Sequence, residues 1–462
     1  MISNMFDVAI IGGGPGGYVA AERAGAAGKS VVLFERKSLG GVCLNEGCIP
    51  TKTLLYSAKV YNYAVNGDHY GVYTESPSFK YEEFVDRKNK VVKKLVGGIK
   101  AAMKGYKVEV VNAEALIKGR SAEGIEIEAD GKTFTARNLL ICTGSEAFVP
   151  PFPGLKESDA IVTNREILDL REQPKELVVI GGGVIGMEFA AFYSTLGTKV
   201  TVVEMLPKIL GPLDDEISTM LQGIYAKRGI EFCLKCKVTA IEGNTVVYED
   251  AEGKVQRVSG DKILVSVGRR ANISGFGLEN LGVDMLLNRG GKPCGIKVDD
   301  KMRTNIPGVY AAGDVTGFSM LAHTASREGE VAINNMFGKE DRMRYNAIPG
   351  VVYTNPEVAG VGLTEAEAKD KGIAYKVVKL PMQYSGRFVA ENERGEGICK
   401  LIVGAKYHEV LGAHMLGNPC SEIIQSMCIA IEQEMTVEQL KEVVFPHPTV
   451  GEIIKETVYS FK

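Results

Sequence analysis

No uncharged apolar stretch in this 462-residue chain reaches the length of about eighteen residues that a membrane-spanning helix needs. Charge of one sign is also lacking. The 54 basic and 57 acidic side chains leave a formal net charge of −3, which gives no electrostatic footprint for nucleic acid or an anionic membrane. The first basic residue is Arg23, so the opening has no basic n-region of a secretory signal. The uncharged run from Val8 to Ala21 holds five glycines and reads as a loop motif. A cytoplasmic location is therefore expected. Histidine is scarce at five residues, and no His/Cys/carboxylate set has metal-ligand spacing, so no metal is expected. A hydrophobic fraction of 45% with 24% charged residues excludes the disordered and fibrous classes. The length suggests about three domains.

Glycine, in contrast, is abundant at 54 residues, and its placement is ordered. The opening DVAIIGGGPGGYVAAERAGAAGKSVVLFER reads as strand, glycine turn, small-residue helix and second strand, ending in Glu35. The segment ELVVIGGGVIGMEFAAFYSTLGTKVTVVEM repeats it at an offset of 169 residues, ending in Glu204. Gly12, Gly14 and Gly17 map onto Gly181, Gly183 and Gly186. A G-x-G-x-x-G turn between strand and helix lets backbone approach a pyrophosphate at the helix N-terminus, and the acidic residue accepts the ribose hydroxyls. Such a turn alone is weak evidence. The full βαβ context of both copies makes two dinucleotide sites the expected reading. Glu204 would repel a 2′-phosphate, and Met205, Leu206 and Pro207 supply no arginine to reverse this, so the second site should prefer NAD to NADP.

Between the copies lies GGVCLNEGCIPTK. Cys43 and Cys48 are five residues apart with Gly47 between them, and one distorted helical turn brings Cα atoms to within the roughly 7 Å that a disulfide needs. Pro50 suits the first turn of a helix, which places Cys48 near a helix N-terminus that favours its thiolate. The plain alternative is a pair of buried structural thiols. Near the C-terminus, FPHPTVGE sets His447 between two prolines, with Glu452 five residues on and able to fix the imidazole tautomer. A histidine in a proline-rich loop is more often structural, and only the cysteine pair makes this one a catalytic candidate.

Together with IPGVYAAGDV, these motifs resemble the class I pyridine nucleotide–disulfide oxidoreductase family over almost the whole chain, from Asp7 to Glu456. The likeness is greatest to members that oxidise protein-bound dihydrolipoamide. The resemblance implies an α/β fold with two Rossmann-like dinucleotide-binding domains and a C-terminal α+β dimerisation domain. FAD would be held by residues 1–147 and 270–343, NAD by 148–269, and dimerisation would fall to 344–462. It implies FAD contacts from Gly12, Gly14, Gly17, Glu35, Lys52, Ala115, Thr143, Gly144, Gly313, Asp314 and Ala322. It implies NAD contacts from Gly181, Gly183, Gly186, Glu188, Glu204, Val238 and Gly268, with Lys52 paired to Glu188 beside the flavin. Catalysis would rest on Cys43, Cys48, His447 and Glu452, with the histidine reaching the cysteine pair of the other subunit of a homodimer. The implied partner is dihydrolipoamide on a lipoyl domain or carrier protein, within a 2-oxo acid dehydrogenase or glycine cleavage complex. The chain departs from the family at Val42, at Ala115 and at Cys142, where alanine is usual.

Two other enzyme readings and one non-enzyme reading stay open on the residues. The substrate could be glutathione or a similar thiol, which the NAD preference of Glu204 argues against. A mercuric reductase would carry a C-terminal cysteine pair, absent from the ending VYSFK. A docking subunit without needed turnover would not require the intact set Cys43, Cys48, His447 and Glu452. Cys233 and Cys236 form a C-x-x-C in what reads as one extended strand, where residues three apart face opposite sides, so no shared chemistry is expected of them. His323 should open a helix facing the flavin, and His69, His408 and His414 are expected to serve surface or packing roles.

Overall fold

A computed structural model describes residues 5–392 and 395–462. The chain divides into two compact units, one from Met1–Thr53, Glu82–Phe148 and Gly268–Arg344, the other from Leu54–Tyr81, Val149–Val267 and Tyr345–Lys462.

In the first unit, strand Phe6–Ile11 lies parallel between Val31–Phe34 and the far half of Lys132–Ile141. Glu109–Val111 extends the sheet beyond Val31–Phe34, and Val309–Ala311 beyond Lys132–Ile141. Val8, Ala9 and Ile10 are fully buried, as the unbroken apolar run of a doubly covered parallel strand requires. Helix Pro15–Ala26 presents small residues to helix Ala322–Met336. A Cβ on Gly329 would stand 2.4 Å from the carbonyl oxygen of Gly16, so the two helices cross at backbone contact. That crossing ties the late segment of this unit to the first glycine turn.

The second unit repeats the architecture. Five parallel strands run in the order Glu231–Leu234, Lys199–Glu204, Glu176–Ile180, Lys262–Val265, Ile161–Val162. Helix Val184–Thr195 starts and ends 169 residues after Pro15–Ala26. A five-stranded antiparallel sheet follows in the order Gly350–Val352, Val358–Gly362, Val410–Leu416, Ile398–Gly404, Tyr375–Pro381. Leu401, Val403 and Met415 bury against Ile424 and Met427 of helix Cys420–Glu432 and Ile453 of helix Glu452–Tyr459. The α/β class with a distinct C-terminal α+β layer is thus as the sequence leads one to expect.

The stretch Leu54–Tyr81 packs in the second unit. Its Tyr81 hydroxyl hydrogen-bonds that of buried Tyr193 at 2.8 Å, and Tyr70 donates to the carbonyl of Glu391 at 2.8 Å. The C-x-x-C segment is not one strand. Glu231–Leu234 ends before Lys235, whose φ of 56° turns the chain, and Lys237–Glu242 begins in a different sheet.

A buried ammonium pins the second unit. Lys400, 2% exposed, lies 3.0 Å from Asp214 and 3.3 Å from Glu216, and also bonds Glu365. Asp214, 3% exposed, caps helix Asp215–Lys227 by accepting from the backbone of Glu216 and Ile217. Burial pushes the Asp214 carboxyl up, but the hydrogen bonds and charge of Lys400 outweigh it, and the net shift is downward. A lowered folded-state value means stabilisation that is present above the ordinary aspartate value of 3.8 and is lost as pH falls below it. Replacing Lys400 with Met should therefore lower stability at pH 7 by about 3–5 kcal/mol, since Asp214 is left buried without its cation. Urea denaturation followed by circular dichroism measures this. The gap from wild type should shrink at pH 3, and an unchanged midpoint at pH 7 would refute the pin.

Candidate functional site

Each copy of the glycine turn is built by the same steric demands. Gly12 has φ of 106° and Gly181 of 101°. A Cβ on Gly17 would fall 1.8 Å from the Gly12 carbonyl oxygen, and one on Gly186 would fall 2.1 Å from that of Gly181. Gly14 and Gly183 cap the two helices without a side-chain hydrogen bond, so the first-turn N–H groups have no side chain closing over them. Those uncapped helix starts, in turns where Gly12, Gly17, Gly181 and Gly186 leave no room for a Cβ, fit a pyrophosphate.

The acidic residues brace the turns identically. Glu35 accepts from the Gly13 N–H at 2.8 Å with one oxygen and from Lys37 N–H at 2.7 Å with the other. Glu204 accepts from Gly182 N–H at 2.6 Å and from Leu206 N–H at 2.7 Å. Each carboxylate oxygen keeps a further lone pair, which suits the paired hydroxyls of a ribose. Met205 and Leu206 beside Glu204 are exposed and apolar.

In the first unit, Cys43 lies in the short helix Gly41–Glu46, and Cys48 opens helix Cys48–Val65. The two thiols share a hydrogen bond, which together with burial raises the Cys43 pKa far above that of an ordinary thiol, while the nearby charge of Lys52 opposes the rise. The structure thus brings Cys43, from the short helix Gly41–Glu46, to Cys48 and Lys52, which lie one turn apart at the start of helix Cys48–Val65. Thr51 tightens that turn by donating to the Gly47 carbonyl at 2.6 Å.

Around the first cradle, Thr143 donates to the carbonyl of Asn272 at 2.7 Å, Gly144 takes a φ of 70°, and Ala115 is buried. Gly313 donates its N–H to buried Glu328 at 2.6 Å. Asp314 accepts from the Ser145 hydroxyl and stands 3.9 Å from Arg269, whose guanidinium also donates to the Ser145 hydroxyl and carbonyl. Ala322 opens its helix without a side-chain cap, and His323 follows it, as expected. Ser145, Arg269 and Glu328 escape sequence reasoning. They form no motif, and their partners lie far along the chain. Cys142 is buried, and desolvation with the neighbouring charge of Glu328 raises its pKa, which disfavours the thiolate.

In the second unit, buried Glu188 accepts the N–H of Tyr353 at 3.1 Å. Val238 is buried in the strand after the C-x-x-C turn. Gly268, expected with the NAD half, falls in the first unit and accepts the N–H of Phe148 at 2.9 Å. His447 Nδ1 lies 3.0 Å from Glu452 Oε1, and the imidazole is 81% exposed, so Nε2 points outward. The Thr449 backbone N–H first, then His447, hold the Glu452 carboxyl below its usual range, keeping it an ionised partner for the ring. Among the described residues no cluster of three or more potential metal ligands occurs, and no helix is long and apolar enough to cross a membrane.

Comparison with known proteins adds to this geometry. The pyridine nucleotide-disulphide oxidoreductase family matches residues 6–329, and the dimerisation domain of the same family matches 348–458. The chain is 38% identical to a dihydrolipoyl dehydrogenase of Geobacillus stearothermophilus, covering 97% of this chain and 94% of that one. It is 37% identical to the Bacillus subtilis dihydrolipoyl dehydrogenase, with 97% and 95% coverage. Among solved structures, LpdA from Mycobacterium tuberculosis superposes with a TM-score of 0.89 at 26% identity, covering 98% of this chain and 99% of that one. The HOCl-induced flavoprotein disulfide reductase RclA from Escherichia coli follows at 0.86 and 26%, covering 99% and 100%. With paired nucleotide turns, a hydrogen-bonded cysteine pair and a match across both domains, the chain belongs to the pyridine nucleotide–disulphide oxidoreductase family.

Proposed function

We propose that this protein oxidises protein-bound dihydrolipoamide to lipoamide with NAD⁺ as acceptor, using FAD and the Cys43–Cys48 pair. The observation that carries this reading is the hydrogen-bonded cysteine pair beside Lys52, in a chain 37–38% identical to two dihydrolipoyl dehydrogenases over nearly its whole length. The first glycine turn with Glu35 is read as the FAD cradle, together with Ala115, Thr143, Gly144, Gly313, Asp314 and Ala322. The second, with Glu204 and Val238, is read as the NAD cradle. When bound, FAD would supply a two-electron relay from the thiols to NAD⁺.

The chain's own residues perform the thiol chemistry. His447 Nε2 takes the proton of one substrate thiol, while Glu452 on Nδ1 fixes the tautomer and stabilises the imidazolium. The substrate thiolate attacks Cys43 Sγ of the disulfide, and Cys48 leaves as thiolate. The second substrate thiol attacks the sulfur now joined to Cys43 and passes its proton to the departing Cys43, which closes the cyclic disulfide and releases Cys43 as a thiol. Cys48, at the positive start of helix Cys48–Val65, is placed to hold the negative charge. Lys52, on the same helix, is assigned to position the flavin edge. The dimerisation domain supports a homodimer, in which His447 and Glu452 are read as serving the cysteine pair of the partner chain. A lipoyl-bearing multienzyme complex is the inferred partner, and the cytoplasm the inferred location.

Steady-state assays decide among substrates. The purified protein should reduce NAD⁺ with dihydrolipoamide and show negligible rate with reduced glutathione. The reverse ranking would transfer the reading to a glutathione-type reductase. In the back reaction, kcat/KM should favour NADH over NADPH by at least about tenfold, equivalent to roughly 1.4 kcal/mol of discrimination at Glu204. Equal values would mean that Glu204 does not read the ribose. Replacing His447 with Gln should lower kcat/KM for dihydrolipoamide by about 10²–10⁴-fold, the range of general-base catalysis, and leave the flavin absorbance spectrum intact. Full retention of activity would remove His447 from the mechanism.

A further inference from the structure

Seven cysteines lie outside the proposed chemistry, and five of them have no sulfur neighbour poised for exchange at a reachable surface. Cys142, Cys399, Cys420 and Cys428 are buried, and Cys294 stands alone in its strand. Cys233 and Cys236 differ. The left-handed bend at Lys235 breaks the strand between them, so the two side chains are not held on opposite faces of one strand. Both sulfurs enter one apolar cluster with Val238 and Tyr248. Cys233 Sγ is 3.3 Å from the Tyr248 hydroxyl, and Cys236 Sγ donates to the Leu234 carbonyl at 3.3 Å. Cys233 is partly exposed, whereas Cys236 is buried.

The same turn is stitched to the acidic residue of the second nucleotide cradle. Cys236 N–H donates to the Glu204 carbonyl at 2.9 Å, and Lys235 N–H donates to the Leu206 carbonyl at 3.1 Å. Leu206 in turn donates its N–H to the Glu204 carboxylate at 2.7 Å. Any change in the path of residues 233–236 therefore reaches the carboxylate through two consecutive hydrogen-bonded links.

We propose that Cys233 and Cys236 form a second oxidisable dithiol, separate from Cys43 and Cys48, and that its closure by a low-molecular-weight disulfide weakens dinucleotide binding at Glu204. This rests on the reading of the second cradle as the NAD site. Cys233, the more accessible sulfur, loses its proton to solvent and attacks one sulfur of the oxidant. The oxidant's S–S bond breaks, and one thiol leaves carrying a proton. Cys236 then attacks Cys233 Sγ, the mixed disulfide breaks, and the second thiol leaves with the proton of Cys236. Two electrons pass from the protein thiols to the oxidant, and two S–H bonds are lost and two gained. Burial first, then the contact with Cys233, raises the Tyr248 pKa, so its hydroxyl remains a neutral donor to the Cys233 thiolate as it forms.

The test uses the FAD-loaded protein carrying Cys43→Ser and Cys48→Ser, treated with oxidised glutathione, alkylated and digested with trypsin. Cleavage after Lys235 separates the two cysteines, so Gly229–Lys235 and Cys236–Lys237 should be recovered as one disulfide-linked pair that dithiothreitol splits. Calorimetric titration should then give a Kd for NAD⁺ raised by about threefold or more against the reduced protein. Adding Cys233→Ser should abolish both the link and the shift. Recovery of the two cysteines as separate alkylated peptides, or a link with unchanged Kd, would overturn the proposal. In untreated protein, Glu204→Ala should weaken NAD⁺ binding. If it does not, the NAD reading of this cradle fails and the affinity claim falls with it, while the linked peptide still decides whether the dithiol exists.

Discussion

One carboxylate-to-backbone hydrogen bond organises each nucleotide half. Glu35 reaches back from the end of its strand to the N–H of Gly13, and Glu204 does the same to Gly182. The bond fixes the glycine turn against the neighbouring strand end, which sets where the uncapped helix start points. It also leaves the carboxylate beside the space that the turn encloses. A pyrophosphate and a ribose must be read by one rigid object, and this short bond makes turn and carboxylate one object. The glycines around it are dictated by the closeness of that fit, since a Cβ at Gly12 would fall 2.1 Å from the Cys142 carbonyl oxygen.

The sulfur chemistry is sorted by burial and by neighbours. Cys43 and Cys48 meet each other and the charge of Lys52 at a helix start. Cys399 lies fully buried in the C-terminal core with its pKa pushed up to about 12 by desolvation, where the thiol acts as a small apolar side chain. Cys142 is held under the first cradle. The position that Cys142 occupies thus holds a buried thiol whose ionisation is disfavoured by desolvation and by the charge of Glu328.

Much of this was legible from residues alone. The 169-residue repeat survives into the helix limits and the hydrogen bonds of both glutamates, because sterics at Gly12, Gly17, Gly181 and Gly186 admit no other residue type. His447 and Glu452 were readable because they are close in sequence. What was not legible depends on distant pairing. Ser145 and Arg269 meet Asp314 only once the sheet has formed, and Lys400 finds Asp214 186 residues away. The C-x-x-C was misread as a single strand because periodicity cannot see a left-handed lysine. The Tyr81–Tyr193 contact, 112 residues apart, likewise leaves no local signal.

The cysteine pair and the His447–Glu452 dyad lie in different compact units of the chain, and the account joins them across two chains of a dimer. Mixing inactive His447→Gln protein with inactive Cys43→Ser protein under conditions of subunit exchange tests this most directly. Half of a random mixture is heterodimer with one competent site in two, so dihydrolipoamide oxidation should recover to roughly a quarter of the wild-type rate. No recovery, with exchange confirmed by native mass spectrometry, would contradict the shared site and place both groups in one chain.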